Sequence, residues 1–168
     1  QYGGIFDKIV SIGMIEHVGY RNYKRLMRAA AQALRKEGLF LLHTIGSNIS
    51  TTSADSWLDK YIFPGGVLPS MRQISGAAEG HFMLHDVHNI GIHYIPTLLA
   101  WQDNFIRYWE SDDKTVELPE VWGSSETFYR MWCYYLCVCA ANFATGGSQV
   151  WQIVFAKGHL PDGYASER

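Results

Sequence analysis

Two short apolar runs bracketing one amphipathic helix constrain this chain more than any other feature. Residues 5–14 read IFDKIVSIGM and residues 39–45 read LFLLHTI. Both are short, rich in branched side chains and unbroken by alternation, the pattern of strands buried on both faces. Between them Tyr23, Leu26, Met27, Ala30 and Leu34 recur at helical spacing, and Gly38 is placed to close the helix. Glu16–Gly19 reads as a loop. Strand, helix and strand of this kind predict a parallel βαβ unit.

The remainder continues the alternation. Residues 55–61 predict a short helix broken by Pro64-Gly65-Gly66, and Ser70 is an N-cap for a helix through Ala78. His81–Ile90 predicts a third strand, and residues 96–109 an aromatic helix. Glu117–Trp122 reads as a loop, and a helix starts at Ser124 or Ser125 and runs to about Thr145. Gln149–Lys157 predicts a last strand, and the polar tail after Gly158 reads as loose. This is an α/β chain. In open α/β sheets ligands bind beyond the carboxyl ends of the strands. That points to Glu16-His17 after the first strand and to His43–Gly46 at the end of the second.

Composition narrows the function classes. With 48% hydrophobic residues the 168-residue chain can bury one core. The 14 Lys and Arg against 16 Asp and Glu argue against a general nucleic-acid binder. Three clustered cysteines do not make a disulfide scaffold and fit a reducing, cytoplasmic compartment. The apolar run from Met131 to Phe143 is too short to cross a bilayer. The first residue is not Met and a strand begins at once, so the chain reads as a piece of a longer protein. No G-x-G-x-x-G, P-loop or G-x-S-x-G motif is present.

The chemistry-bearing residues each have a plain structural reading beside the functional one. Glu16, after an apolar strand, is either a helix-start acid or a buried site acid. His43 interrupts LLHTI as a satisfied core histidine or as a catalytic group. Cys133, Cys137 and Cys139 are spaced as no standard zinc site is, and read as small hydrophobes. His81, His85, His88 and His93 cannot converge along one strand. Arg21, Lys24, Arg25 and Arg28 read first as a solvated helix face, with anionic lipid headgroups as the alternative. Tyr134 and Tyr135 read as core, with hydroxyls that need partners.

Several runs taken together carry a resemblance. FDKIVSIGMIEHVG at 6–19, EGLFLLHTIGS at 37–47, KYIFPGGVLPS at 60–70, HNIGIHY at 88–94 and YYLCVCAANF followed by QVWQIVFAKG resemble the cyclopropane-fatty-acyl-phospholipid synthase family, which includes the mycolic acid cyclopropane synthases. The likeness spans Phe6 to Gly158. It implies the Rossmann-like sheet, with helical insertions, of a class I S-adenosylmethionine-dependent methyltransferase. Residues 1–158 would be the C-terminal part of the catalytic domain and 159–168 a polar tail. The main S-adenosyl-L-methionine loop would lie outside the chain, and these residues would be inactive alone.

The resemblance implies methyl transfer to a cis double bond of a phospholipid acyl chain. A cyclopropane ring then closes after a bound bicarbonate removes a proton. The family's bicarbonate ligands fall on Glu16, His43, Ile45 through its backbone amide, and Tyr135. Glu16, His43 and Tyr135 are the implied catalytic residues, and no metal is implied. Trp57, Tyr61, Phe63, Trp101 and Phe105 are candidates for an aromatic wall that keeps water from a carbocation. Where relatives often carry a basic residue after the aromatic of the YYL helix, this chain reads ANFATGG, which bears on headgroup contacts. The implied partners are an unsaturated phospholipid and the inner face of a membrane, with a homodimer left open. A methyl-branched product, another methyl acceptor and a non-catalytic lipid-binding module are the rival readings.

Overall fold

The structure, a computed structural model, describes residues 4–111 and 124–166. Along the chain lie β1 (Phe6–Ile12), α1 (Ile15–Val18), α2 (Tyr23–Ala33), β2 (Leu34–Ser47), α3 (Ser56–Tyr61), α4 (Met71–Ala78), β3 (Met83–Asn89), α5 (Tyr94–Glu110), α6 (Ser125–Ala144) and β4 (Ser148–Ala156). Short 3-10 turns precede α2 at Tyr20–Asn22 and α5 at Gly91–His93. The loop expected over Glu117–Trp122 lies outside the described residues.

The four strands form one sheet in the order β1-β2-β4-β3. β1 and β2 pair in parallel, with Ile9 beside Phe40 and Ile12 beside His43. This is the βαβ unit that the apolar runs predict. β4 enters between β2 and β3, antiparallel to both. β1, β2 and β3 therefore all point their carboxyl ends the same way.

From Gly38 onward β2 alternates strictly, and the alternation builds two cores. Phe40, Leu42 and Thr44 are buried on one face, and Trp151, Ile153 and Phe155 of β4 join the first two in a cluster with Met27 of α2 and Ile74 of α4. Ile45 faces the other way, against a second cluster of Leu98, Tyr135, Leu136, Phe143 and Val150. Burying a side chain such as Leu42 contributes roughly 2 kcal/mol each time.

The caps at Ser70 and Ser124 are where the sequence puts them, and Asp55, read as the first residue of a helix, is a third. Asp55 accepts hydrogen bonds from the Trp57 and Leu58 amides at the start of α3. Ser70 and Gln73 form a reciprocal capping box on α4. Ser124 caps α6.

The helix α2 ends earlier than its periodicity suggests. Leu34 is extended and pairs with Phe6, so the strand begins there and not at Leu39. Glu37 then takes a left-handed conformation (φ 65°). Gly38 does not close the helix. It lies inside β2, where a Cβ would stand 2.7 Å from the Leu34 side chain and 3.0 Å from the Asp7 carbonyl. A bulge against β1 explains the extra length. Glu16–Gly19 is read as a loop, but Ile15–Val18 form the single helical turn α1.

β1 and β3 are the sheet's edges. Val10 (58% exposed) and Ile12 (69%) on β1 present apolar surface there, an unpaired edge of the kind that promotes association. Part of the tail lies on β3, with Tyr164 against His85 and the Ser166 hydroxyl near Asp86.

Candidate active site

Glu16 is the centre of the site. It sits in α1, directly beyond the carboxyl end of β1, and is 6% exposed. The Ile45 amide donates to its Oε1 at 2.8 Å. Its own carbonyl accepts from the Val67 amide at 2.8 Å. Its Oε2 is buried without a hydrogen-bond partner among the described residues. A buried carboxylate oxygen left bare is costly, so this is a place where a donor belongs. Glu16 does stand in the first turn of α1, as the helix-start reading has it, but its side chain is buried and bonded to β2.

The loop over 62–69 closes round the acid. Besides the Val67–Glu16 bond, the buried Tyr23 hydroxyl donates to the Val67 carbonyl at 3.3 Å. Burial, with the nearby Glu16 charge, pushes the Tyr23 hydroxyl up to about 12. Tyr23 was read only as a helix-face residue. Its partner Val67 is 44 positions away, and no local pattern reports such a contact.

Ile45 links the acid to the second core. Its amide serves Glu16 while its side chain packs on the cluster that holds Tyr135. Its amide is thus already engaged by the acid, where the resemblance has it facing an ion. His43 is two residues back on the same strand face, about 7 Å along β2, and half-buried. Its carbonyl accepts from the Gly13 amide at 3.0 Å, which fixes the turn out of β1. β2 is held in place past Ile45 by Gly46, where a Cβ would stand 2.1 Å from the Trp151 ring.

Tyr135, in the middle of α6, is 9% exposed. Its ring meets Phe63 edge-on at 6.0 Å and tilts against Trp132 at 5.3 Å. Phe63 in turn meets the His17 ring, next to Glu16 in sequence, at 5.9 Å. Burial raises the Tyr135 hydroxyl to about 12, helped by Cys139 one turn along the helix and by Tyr94. At neutral pH it is a hydrogen-bond donor or acceptor and not a base. Burial also pushes the Cys139 thiol up to about 11, against the lowering effect of Tyr135. Such a thiol is no nucleophile at neutral pH.

The expected aromatic wall divides. Trp57 packs on the second core and meets Tyr134 edge-on at 5.0 Å. Phe63 stands over Tyr135. Tyr61 leans on Trp57 at 5.6 Å, and Phe105 stacks on Tyr129 between α5 and α6. Trp101 is 48% exposed and touches Tyr94 from outside. Among the described residues no group of three or more His, Cys, Asp or Glu could hold a metal ion. Two open grooves, of about 420 Å3 beside β1 and about 520 Å3 between α4 and β3, have no Glu16, His43 or Tyr135 in their linings.

The profile of the family described as Mycolic acid cyclopropane synthetase matches residues 1–153. The chain belongs to that family. It is 46% identical to the cyclopropane-fatty-acyl-phospholipid synthase of Escherichia coli K12 over 154 residues, 91% of this chain and 38% of that protein. It is 35% identical to the tuberculostearic acid methyltransferase UfaA1 of Mycobacterium tuberculosis over 155 residues, 89% of this chain and 35% of that one. Among solved structures it superposes on the cyclopropane synthase MmaA2 from Mycobacterium tuberculosis with a TM-score of 0.77 and 26% identity, over 94% of this chain and 57% of that chain. The mycolic acid cyclopropane synthase CmaA1, solved with SAH and CTAB, gives 0.77 at 28% identity, with the same coverage. The sheet is therefore part of the Rossmann-like methyltransferase fold of the cyclopropane synthases. The chain spans well under half the length of the curated relatives named here.

Proposed function

We propose that these residues are the acyl-lipid half of an S-adenosylmethionine-dependent methyltransferase acting on the cis double bond of a phospholipid acyl chain, with a cyclopropane ring as product. Residues 1–158 would form the C-terminal part of its catalytic domain, working at the inner face of a membrane. Among the described residues no helix is long and apolar enough to cross one. The observation that carries the reading is Glu16: a buried carboxylate with one oxygen spent on Ile45 and the other bare, beside a core roofed by Phe63, Tyr135 and Trp132.

When bound, S-adenosyl-L-methionine supplies an electrophilic methyl group and bicarbonate supplies a small base. The alkene is itself the nucleophile, so the chain need not provide one, and its three cysteines stay structural. In the proposed site Glu16 Oε2 accepts the hydrogen bond of a bound donor and thereby orients it. His43 and the protonated Tyr135 hydroxyl are the side-chain donors. Glu16 also stabilises positive charge as it develops on the acyl chain. The aromatic roof excludes water, which would otherwise capture the cation as an alcohol before a proton leaves and the ring closes.

The likeness to a tuberculostearic acid methyltransferase favours one rival, in which the product keeps a methyl branch. Lipid masses decide. The reading frame extended upstream is expressed in cells containing cis-unsaturated phospholipids, with and without Glu16→Gln. Acyl chains heavier by one CH2, without the alkene and absent in the variant, support the ring. The same gain in a chain that keeps a double bond beside a methyl or methylene branch supports the rival, as does a gain of CH4 where a reductant has saturated that branch. An unchanged lipid profile sinks both.

A further inference from the structure

We propose that Tyr23 is a positioning residue for the acyl-lipid site: its hydroxyl, acting through Val67, holds the Phe63 ring in place against Tyr135, an inference that rests on the methyl-transfer reading above. Tyr23 opens α2 and is 2% exposed, with its ring in the core that holds Ile15, Met27 and Ile74. A phenylalanine would fill that core as well. A buried hydroxyl must find a partner, and this one finds it outside the core.

The partner is Val67. Its carbonyl accepts from the Tyr23 hydroxyl at 3.3 Å, while its amide donates to the Glu16 carbonyl at 2.8 Å. Val67 is thus held from two sides, by the backbone of the acid and by the first residue of α2. Burial first, and the Glu16 charge second, raise the Tyr23 hydroxyl. It therefore keeps the proton it donates at neutral pH, and it lies within electrostatic reach of the acid.

The residues just before Val67 carry the roof of the site. The Phe63 amide donates to the Leu58 carbonyl at 2.8 Å, the Gly65 amide to Asp59 Oδ1 at 2.7 Å and the Gly66 amide to the Phe63 carbonyl at 2.9 Å. Gly66 has little room for a side chain, since a Cβ would stand 3.1 Å from that same carbonyl. The link from Phe63 to Val67 is therefore short and tightly turned. The Phe63 ring itself is 43% exposed and meets Tyr135 and His17 at its edges. No core holds it, so it goes where its loop goes. Freeing Val67 from Tyr23 moves the roof and leaves the core packed.

The test uses the enzyme expressed from the reading frame extended upstream, with S-adenosyl-L-methionine and vesicles of dioleoyl phosphatidylglycerol, and reads acyl products by mass spectrometry. In methyl transfer the sulfonium sulfur keeps the bonding pair of the broken S–C bond, and the alkene's π pair forms the new C–C bond. A chain whose carbocation then loses a proton as the ring closes is heavier by CH2. One whose carbocation is captured by water, with a proton lost from that oxygen, is heavier by CH2 and H2O and carries a hydroxyl. Tyr23→Phe should lower kcat about tenfold and raise the alcohol share several-fold as water enters. Ile74→Val alters a fully buried residue of the same core. It should lower the melting temperature and leave kcat and product ratio at the parent's values. Phe63→Ala should give the same alcohol. The parent's kcat and product ratio in Tyr23→Phe overturn the proposal. So does an equal shift in Ile74→Val, or a Tyr23→Phe enzyme that does not fold, either of which makes the hydroxyl structural. A Phe63→Ala enzyme with no more alcohol than the parent also overturns it. A parent enzyme that leaves the lipid unchanged removes the methyl-transfer reading, and this inference with it, before any variant is compared.

Discussion

The two cores on either face of the sheet are built from different materials. The one under α2 and α4 is tightly buried and largely without polar ends: Ile15, Met27, Leu34, Leu42, Ile74, Ala77 and Ile153, with Phe40, Trp151 and Phe155 from the sheet and the Tyr23 hydroxyl at its edge. The one under α5 and α6 sets more polar-ended groups, Tyr94, Trp57, Trp132, Tyr135 and Cys139, among Leu98, Leu136 and Val150. Rings with hydroxyls form walls, can face a cation, and hold a donor at a chosen place. Glu16 lies at the junction of the two, its turn packed with Ile15 in the first core and its carboxylate bonded to a residue of the second. The aliphatic face thus supports the acid, and the aromatic face supplies its surroundings.

The sharpest way to break this division is to damage each core separately. Leu42→Ala removes a fully buried side chain from the aliphatic face. It should cost about 2–5 kcal/mol of unfolding free energy, while kcat of the remaining folded enzyme stays near the parent's. Tyr135→Phe should do the reverse, with turnover down at least about tenfold and stability within about 1 kcal/mol of the parent. Chemical unfolding curves and lipid-methylation rates, measured on both variants, check the pair. A Tyr135→Phe enzyme of full activity would remove Tyr135 from the site.

Much of this contrast is legible in the sequence. The βαβ unit, the Ser70 cap and the placement of Glu16 beyond a strand end all follow from local rules, because a cap or a buried strand is fixed by its near neighbours, whereas His43, expected near the end of its strand, lies four residues inside β2. The misread end of α2 shows where such rules stop. Leu34 continues the helical spacing of Met27 and Ala30, yet its pairing with Phe6 decides its conformation. The insertion of β4 between β2 and β3, and the bond from Tyr23 to Val67, are contacts between distant parts of the chain that no window contains. His43 is a candidate from its strand alone, but Tyr135 enters the site only through the resemblance. The spacing of Tyr135 alone says only that it faces a core.

Alkaline unfolding compares the two faces with one probe each. Tyr23 belongs to the aliphatic core and Tyr135 to the aromatic one, and burial raises both to about 12. An unfolded tyrosine loses its proton near 10. Below that value both states keep the proton and the full stabilisation is present. Between about 10 and 12 the unfolded state gives up its protons first, so stability falls as pH rises. Each tyrosine should account for up to about 2 kcal/mol of the loss. Tyr23→Phe and Tyr135→Phe should each flatten the fall between pH 9 and 11.5, about equally. A flattening confined to one variant would show that only that face stays closed in alkali.

The smallest expected effect tests whether the scaffold beside the aliphatic core matters to the acid at all. Ser70→Ala removes the Gln73 amide's partner and half of the capping box on α4, and also the contact with Ser50 that pins the loop after β2. The cap alone is worth about 1 kcal/mol. If the loop after β2 is only tethered there, melting falls by that amount and turnover is unchanged. If the Ser50–Ser70 contact keeps the end of β2, and with it the Ile45 amide, in register with Glu16, kcat falls as well while KM for the lipid holds. The second result would mean that the division between the two cores is incomplete. The aliphatic side would then set the geometry of the acid through the strand they share.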